Sequence, residues 1–185
     1  MSTLAIFPEN GAEPAELVKD HLKISMILVG IGVLFEKWST PVILTETASQ
    51  EEVLKAYHEP VERLKNRYNF QSADVVSLYK DHPDREAMRQ KFLVEHTHTD
   101  HEIRFFVEGS GLFYLHVDKI IYAVLCKQGD LISVPANTPH WFDMGSKPSF
   151  KCIRLFTDPV GWVGHPTGSD ISVLFPDYDT FVENF

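Results

Sequence analysis

The chain has no apolar run long enough to cross a bilayer. Its best candidate, residues 24–35, is interrupted by Gly30 and Gly32 and falls short of the roughly 20 residues a spanning helix needs. It has no basic cluster either. With 26 acidic against 17 basic side chains the formal charge is -9, which excludes the electropositive face that a nucleic-acid surface requires. Cysteine is scarce: Cys126 and Cys152 stand apart in apolar, strand-like stretches, so there is neither a disulfide framework nor a thiolate metal motif, and buried free thiols are expected. The N-terminus lacks a basic leader followed by an apolar core, so no secretory signal is expected and a cytoplasmic location is. There is no internal repeat and no low-complexity tract. A chain of 185 residues can bury one substantial core, and a single domain over 1–185 is expected.

What is present falls into two parts. Up to about residue 92 the pattern is largely helical. Residues 4–7 read as an edge strand stopped by Pro8, and a helix is expected from Pro14 through Leu17, Val18 and Leu22 to a stop at Gly30 and Gly32. Residues 33–38 then read as a strand. Ser49 and Glu52 form a capping-box pattern opening a second helix, which Pro60 must kink or split. A strand over 74–79 and a charged helix over 83–92 follow. His21 and His58 read as surface residues, and His82 and His165, each before a proline, as loop residues. From about 93 to 160 the chain turns to short strands, at 103–107, 112–117, 120–125, 131–134 and 150–156, separated by turns such as 108–111 and 127–130. Antiparallel pairing in a mainly β fold with flanking helices is expected, with an acidic, aromatic C-terminal tail over its outside.

The stretch from Glu95 to Gly109 carries the chemistry. His96 and His98 are two apart, so on an extended chain both imidazoles point to one face, and Glu102, Arg104 and Phe106 keep the same parity. A fourth ligand candidate, His140, closes an apolar run through a Pro-Asn-Thr-Pro turn. Three imidazoles and a carboxylate suit a divalent first-row metal. Odd-parity His101 should point away, and His116, without a companion at ligand spacing, reads as structural.

The two stretches resemble the two cupin motifs. His96, His98, Glu102 and Gly109 match the first, and Gly129, Pro135 and His140 the second; Gln90 and Asn137 replace glycines of the pattern. The flanks, from Phe92 to Gly111 and from Ser133 to Gly145, are similar to those of the acireductone dioxygenase family, with His101 where the family commonly has an acidic residue. The resemblance implies a cupin double-stranded β-helix, or jelly-roll barrel, and one Fe2+ or Ni2+ per chain held by His96, His98, Glu102 and His140. It also implies an acireductone and O2 as small-molecule partners. Cleavage would give formate and 4-methylthio-2-oxobutanoate with iron, or formate, carbon monoxide and methylthiopropionate with nickel, in methionine salvage. Arg104 would meet an anionic substrate oxygen or else pair with Glu95 or another carboxylate at the barrel mouth, Arg154 would be a second inward cation, and Glu95 beside His96 would act as general base or else stand as a solvated carboxylate. Phe92, Phe142 and Trp162 would wall the methylthio end. Two rival readings stand beside this one: a cupin dioxygenase or isomerase for another enediol, and a non-catalytic metal cupin. Nothing in an acidic chain with an internal site asks for a nucleic acid, a membrane or a protein partner, and a monomer is expected.

Overall fold

The computed structural model describes residues 1–185 except Ala12, Pro41, Ile43 and residues 159–162. The elements in chain order are β1 (Thr3–Pro8), β2 (Glu16–Val18), α1 (His21–Val29), β3 (Leu34–Lys37), α2 (Gln50–Ala56), α3 (His58–Tyr68), β4 (Ser72–Tyr79), α4 (Arg85–Leu93), β5 (His96–Thr97) and β6 (Glu102–Val117). They continue with β7 (Ile120–Lys127), β8 (Asp130–Val134), β9 (His140–Asp143), β10 (Ser149–Phe156), β11 (His165–Pro166), a 3-10 turn (Ile171–Leu174) and α5 (Tyr178–Asn184). All strand pairs are antiparallel. One sheet runs β11-β5-β9-β6-β7-β1-β2 and the other β3-β8-β6-β10-β4, so β6 belongs to both. The mainly β, antiparallel class is as expected, although among the described residues the hydrogen-bonded path does not close on itself. None of the described helices is long and apolar enough to cross a membrane.

The period of two in the strands sorts side chains into three cores. Inward residues of both sheets, among them Phe106, Phe113, Leu115, Ile132, Phe142 and Cys152, meet in the layer between them. The alternate residues Ile103, Phe105, Val107 and Leu131 pack against Val53, Val61 and Leu64 of α2 and α3. On the opposite outer face Leu112, Tyr114 and Trp141 pack under Phe175 and Phe181 of the C-terminal segment. Each fully buried side chain of this size contributes about 1.5–3 kcal/mol. Both cysteines are free and buried, as their apolar surroundings suggested.

Several expectations need correction. The two strands expected at 103–107 and 112–117 are one strand of 16 residues. Lys151 pairs with Glu108 while Cys152 pairs with Phe106, so Val107 is an extra residue, a bulge that bends β6 from one sheet into the other instead of reversing it. Gly109 has φ 73°, and a Cβ there would lie 1.8 Å from the Ser149 carbonyl oxygen, so only glycine fits. The bulge also shifts the parity: Phe106 faces inward, and so do Phe113 and Leu115.

The helix expected from Pro14 starts only at His21, where Asp20 caps it by accepting from the Lys23 N–H at 2.9 Å. Residues 16–18 instead add β2 to β1, so β1 lies between β7 and β2 and is not an edge. His21 is not a simple surface residue: it stacks on Phe35 at 4.8 Å, with Nε2 3.5 Å from buried Asp130. The Ser49–Glu52 capping box forms, but the break falls at Tyr57, leaving Pro60 in the first turn of α3, where a missing N–H costs nothing. His165 lies in the short strand β11 rather than a loop. The portion before residue 93 is more than a helical flank, since it supplies β1 to β4.

Candidate metal centre

The donors come from three strands that meet at one end of the space between the sheets. His96 of β5 pairs directly with His140 of β9, and Glu102 opens β6. His98 follows β5 in a turn whose carbonyl accepts the Asn137 N–H at 2.7 Å. Asn137 takes φ 61°, the left-handed conformation that asparagine tolerates in place of the motif's glycine. One ligand atom from each of His96, His98, Glu102 and His140 lies within 4.8 Å of the others, and His98, Glu102 and His140 are buried. The structure thus brings together all four expected ligand candidates.

Each imidazole presents the same nitrogen. Nδ1 of His96 faces the Val94 carbonyl at 2.6 Å, that of His98 the Val163 carbonyl at 2.9 Å, and that of His140 the Thr138 carbonyl at 2.7 Å. A carbonyl only accepts, so each Nδ1 donates, and in the neutral ring Nε2 carries the lone pair. Yet Glu102 Oε2 lies 2.9 Å from His98 Nε2 and 3.2 Å from His140 Nε2. Lone pairs facing a carboxylate at such distances need a cation between them, either a proton or a metal ion. The donor set therefore fits one divalent ion.

The electrostatics follow. Burial alone would raise the Glu102 pKa, but Arg104 and the two imidazoles hold it well below the usual carboxylate range. Burial drives His96 down to about 4, so it is neutral at pH 7. Burial also opposes charging of His98, but the hydrogen bond and charge of Glu102 outweigh it and raise its pKa, so a proton is favoured where an ion would sit. Arg104 Nε donates to Glu102 Oε1 at 2.8 Å, and the guanidinium lies 4.5, 5.4 and 5.7 Å from the ring centres of Phe142, Phe113 and Phe92. That aromatic collar fixes a buried cation beside the donors.

A cavity of about 270 Å3 opens on His96, His98 and Glu102, with Arg104, Phe92 and Arg154 in its wall. Phe142 is not in that wall; it is the ring behind Arg104. Arg154 is turned inward but forms a two-pronged pair with Asp74, at 2.8 and 2.6 Å. Glu95 is not brought to the site. Its odd parity turns it to the other side of β5, where it takes hydrogen bonds from His116 and Thr167, so the general-base expectation gives way to a structural placement. His116 is structural, as read, between Glu95 and Glu9. His101 is exposed and faces away. Trp162 lies outside the described residues. Lys91, Val94, Gly164 and Pro166 also line the cavity and were missed. Lys91 sits in a charged helix that reads as a solvated face, and Gly164 and Pro166 carry no chemical signal. A larger cavity, about 480 Å3, at the α2–α3 junction contains none of the donors.

Comparison with known proteins agrees with this geometry. The model of the ARD/ARD' family matches residues 11–164. The chain is 51% identical to the acireductone dioxygenase of Methylococcus capsulatus, covering 100% of both chains. It is 52% identical to that of Aquifex aeolicus, over 98% of this chain and 99% of the relative. Among solved structures it is similar to acireductone dioxygenase from Bacillus anthracis with a cadmium ion in its active centre. That likeness has a TM-score of 0.80 at 29% identity and covers 89% of this chain and 97% of the other. Matches of this extent, over the residues that build the donor set, show that the chain belongs to the acireductone dioxygenase (ARD/ARD') family.

Proposed function

We propose that the chain cleaves 1,2-dihydroxy-3-keto-5-methylthiopentene with O2, using one Fe2+ or Ni2+ held by His96, His98, Glu102 and His140. The observation that carries this reading is the convergence of three Nε2 atoms, each Nδ1 tied to a carbonyl, on one carboxylate that opens to a cavity. When bound, the ion supplies charge stabilisation and two-point anchorage for the substrate's enediolate.

The protein's part is binding and orientation. Arg104, held by Glu102 and its collar of rings, offers a permanent positive charge to the substrate's anionic oxygens, and it does so without a transferable proton. Phe92 gives the methylthio end an aromatic edge, and Phe142 acts through Arg104. Arg154, tied to Asp74, adds charge at the wall while remaining neutralised by its partner. Glu102 and Arg104 are themselves buried, which strengthens their charge interactions at the inner end of the cavity. We read the protein as a cytoplasmic monomer of methionine salvage, without nucleic-acid or membrane partners.

The test is elemental analysis of the purified protein, then anaerobic mixing with the acireductone and exposure to O2. Near-stoichiometric iron with formate and 4-methylthio-2-oxobutanoate, or nickel with formate, carbon monoxide and methylthiopropionate, is expected. Bound metal without formate would overturn the substrate assignment.

A further inference from the structure

Two of the three imidazoles are oriented by their own backbone. His96 and His140 each use the carbonyl two residues earlier, Val94 and Thr138. His98 is different: its Nδ1 is held by Val163, 65 positions along the chain. The segment that brings Val163 there is attached to β5 in three ways. β11 pairs His165 with Thr97 and Pro166 with His96. The Thr167 N–H donates to the Glu95 carbonyl at 3.1 Å, and the Thr167 hydroxyl donates to Glu95 Oε2. Gly164 lies against the rings, since a Cβ there would be 3.5 Å from His96 Cδ2 and 3.7 Å from His98 Cε1. Glu95 itself is 2% exposed, and its other oxygen is 2.8 Å from His116 Nδ1.

We propose that Thr167 and Glu95 are positioning residues for the metal centre: they fasten the 163–167 segment to β5, so that the Val163 carbonyl holds His98 with Nε2 toward the other donors. This rests on the metal reading above. It gives buried Glu95 a task on the face of β5 opposite the ligands. The hydroxyl of Thr167 is the informative atom, because it can be removed with little change in volume. A histidine ligand whose second nitrogen loses its partner keeps its chemistry but loses its fixed aim.

Thr167→Val and Thr167→Ser separate the proposal from a general loss of stability. The Ni2+ dissociation constant, measured by chelator competition well below each melting temperature, should rise by up to roughly 10-fold in Thr167→Val, the lower end of the cost of losing a ligand's direct partner, because the β11 pairing and the Thr167 N–H bond remain. Thr167→Ser should restore it. In metal-free protein, the imidazole 15N–1H spectrum should show a His98 Nδ1 proton protected from exchange with water in the wild type and in Thr167→Ser, and in rapid exchange in Thr167→Val. Glu95→Gln should weaken Ni2+ binding as well, whereas a general base would lower kcat and leave Ni2+ affinity alone. Unchanged Ni2+ affinity in Thr167→Val, or an unchanged protection of the His98 Nδ1 proton in the metal-free variant, overturns the proposal. A wild type that binds no Ni2+ while the Nδ1 proton loses its protection in Thr167→Val would instead count against the metal reading.

Discussion

Glu102 and Arg104, two residues apart on one strand, share a 2.8 Å hydrogen bond while each is nearly sealed from solvent, at 2% and 4% exposure. The pair makes the donor set and the substrate cation interdependent. Glu102→Ala removes a ligand and leaves a buried guanidinium without its carboxylate. The expected result is loss of most bound metal by elemental analysis, with the metal-free variant about 3–5 kcal/mol less stable than metal-free wild type in urea unfolding. A variant that keeps stoichiometric metal would contradict the ligand assignment.

Arg104→Ala acts from the other side of the pair. Metal content should persist, because the guanidinium is no donor to a metal, while kcat should fall about 10²–10³-fold, as when one preorganised donor to a developing anion is lost. Steady-state kinetics on metal-matched samples gives the answer. Full activity would remove Arg104 from the substrate's surroundings.

The metal-free protein should have a pH-dependent stability with a definite sign. His96 titrates at about 4 when folded against an ordinary value of 6.5, so the folded state holds fewer protons between those values. Its contribution is complete above pH 6.5 and lost as the pH falls toward 4, on the order of 1–3 kcal/mol. His98, shifted upward, contributes in the opposite sense: its share is complete below its ordinary value and lost as the pH rises through its raised one. Urea midpoints from pH 4 to 8 for metal-free wild type and His96→Gln should differ mainly in slope below pH 6.5. Parallel curves there would contradict the shift at His96.

Asp143 anchors α4, the helix whose end carries Lys91 and Phe92 of the cavity wall. It is fully buried and accepts from Arg89 Nε at 2.7 Å and Nη2 at 2.9 Å, from the Gly145 N–H at 2.9 Å and from the Tyr178 N–H at 2.8 Å. One carboxylate thus ties α4, β9 and the start of α5 together. Arg89→Ala should cost about 3–5 kcal/mol by stranding that charge, which at this chain length lowers Tm by roughly 6–20 °C. Metal content at 25 °C should be unchanged. A thermal scan with elemental analysis on the same sample checks both halves.

The ligand face was legible from parity on β5 and β6 together with one turn signal. His96, Glu102 and Arg104 face inward on extended chain whatever partners their strands choose, and His140 is marked by its Pro-Asn-Thr-Pro turn. Adjacency to His96 suggests a catalytic Glu95, but the alternation of the strand turns it to the opposite face, where His116 and Thr167 hold it. The bend of β6 was hidden because Gly109 and Gly111 are as suited to a reversing turn as to a bulge, and the choice lies with Lys151 and Cys152 on another strand. β2 was hidden because Leu17 and Val18 satisfy helical spacing, whereas pairing with β1 decides their conformation. The tie from His98 to Val163 had no signal, since a backbone carbonyl has no letter in the sequence.

A strand common to both sheets has a mechanical consequence. With β6 hydrogen-bonded to β7 and β9 in one sheet and to β8 and β10 in the other, the two cannot swing apart without breaking a continuous strand. The exposed part of the cavity wall lies outside β6, at the end of α4 with Lys91, at Val94, and on the segment bearing Gly164 and Pro166. The last of these also carries the Val163 carbonyl that meets His98 Nδ1, so the rim of the cavity and the hydrogen bond on one ligand candidate share one short piece of chain.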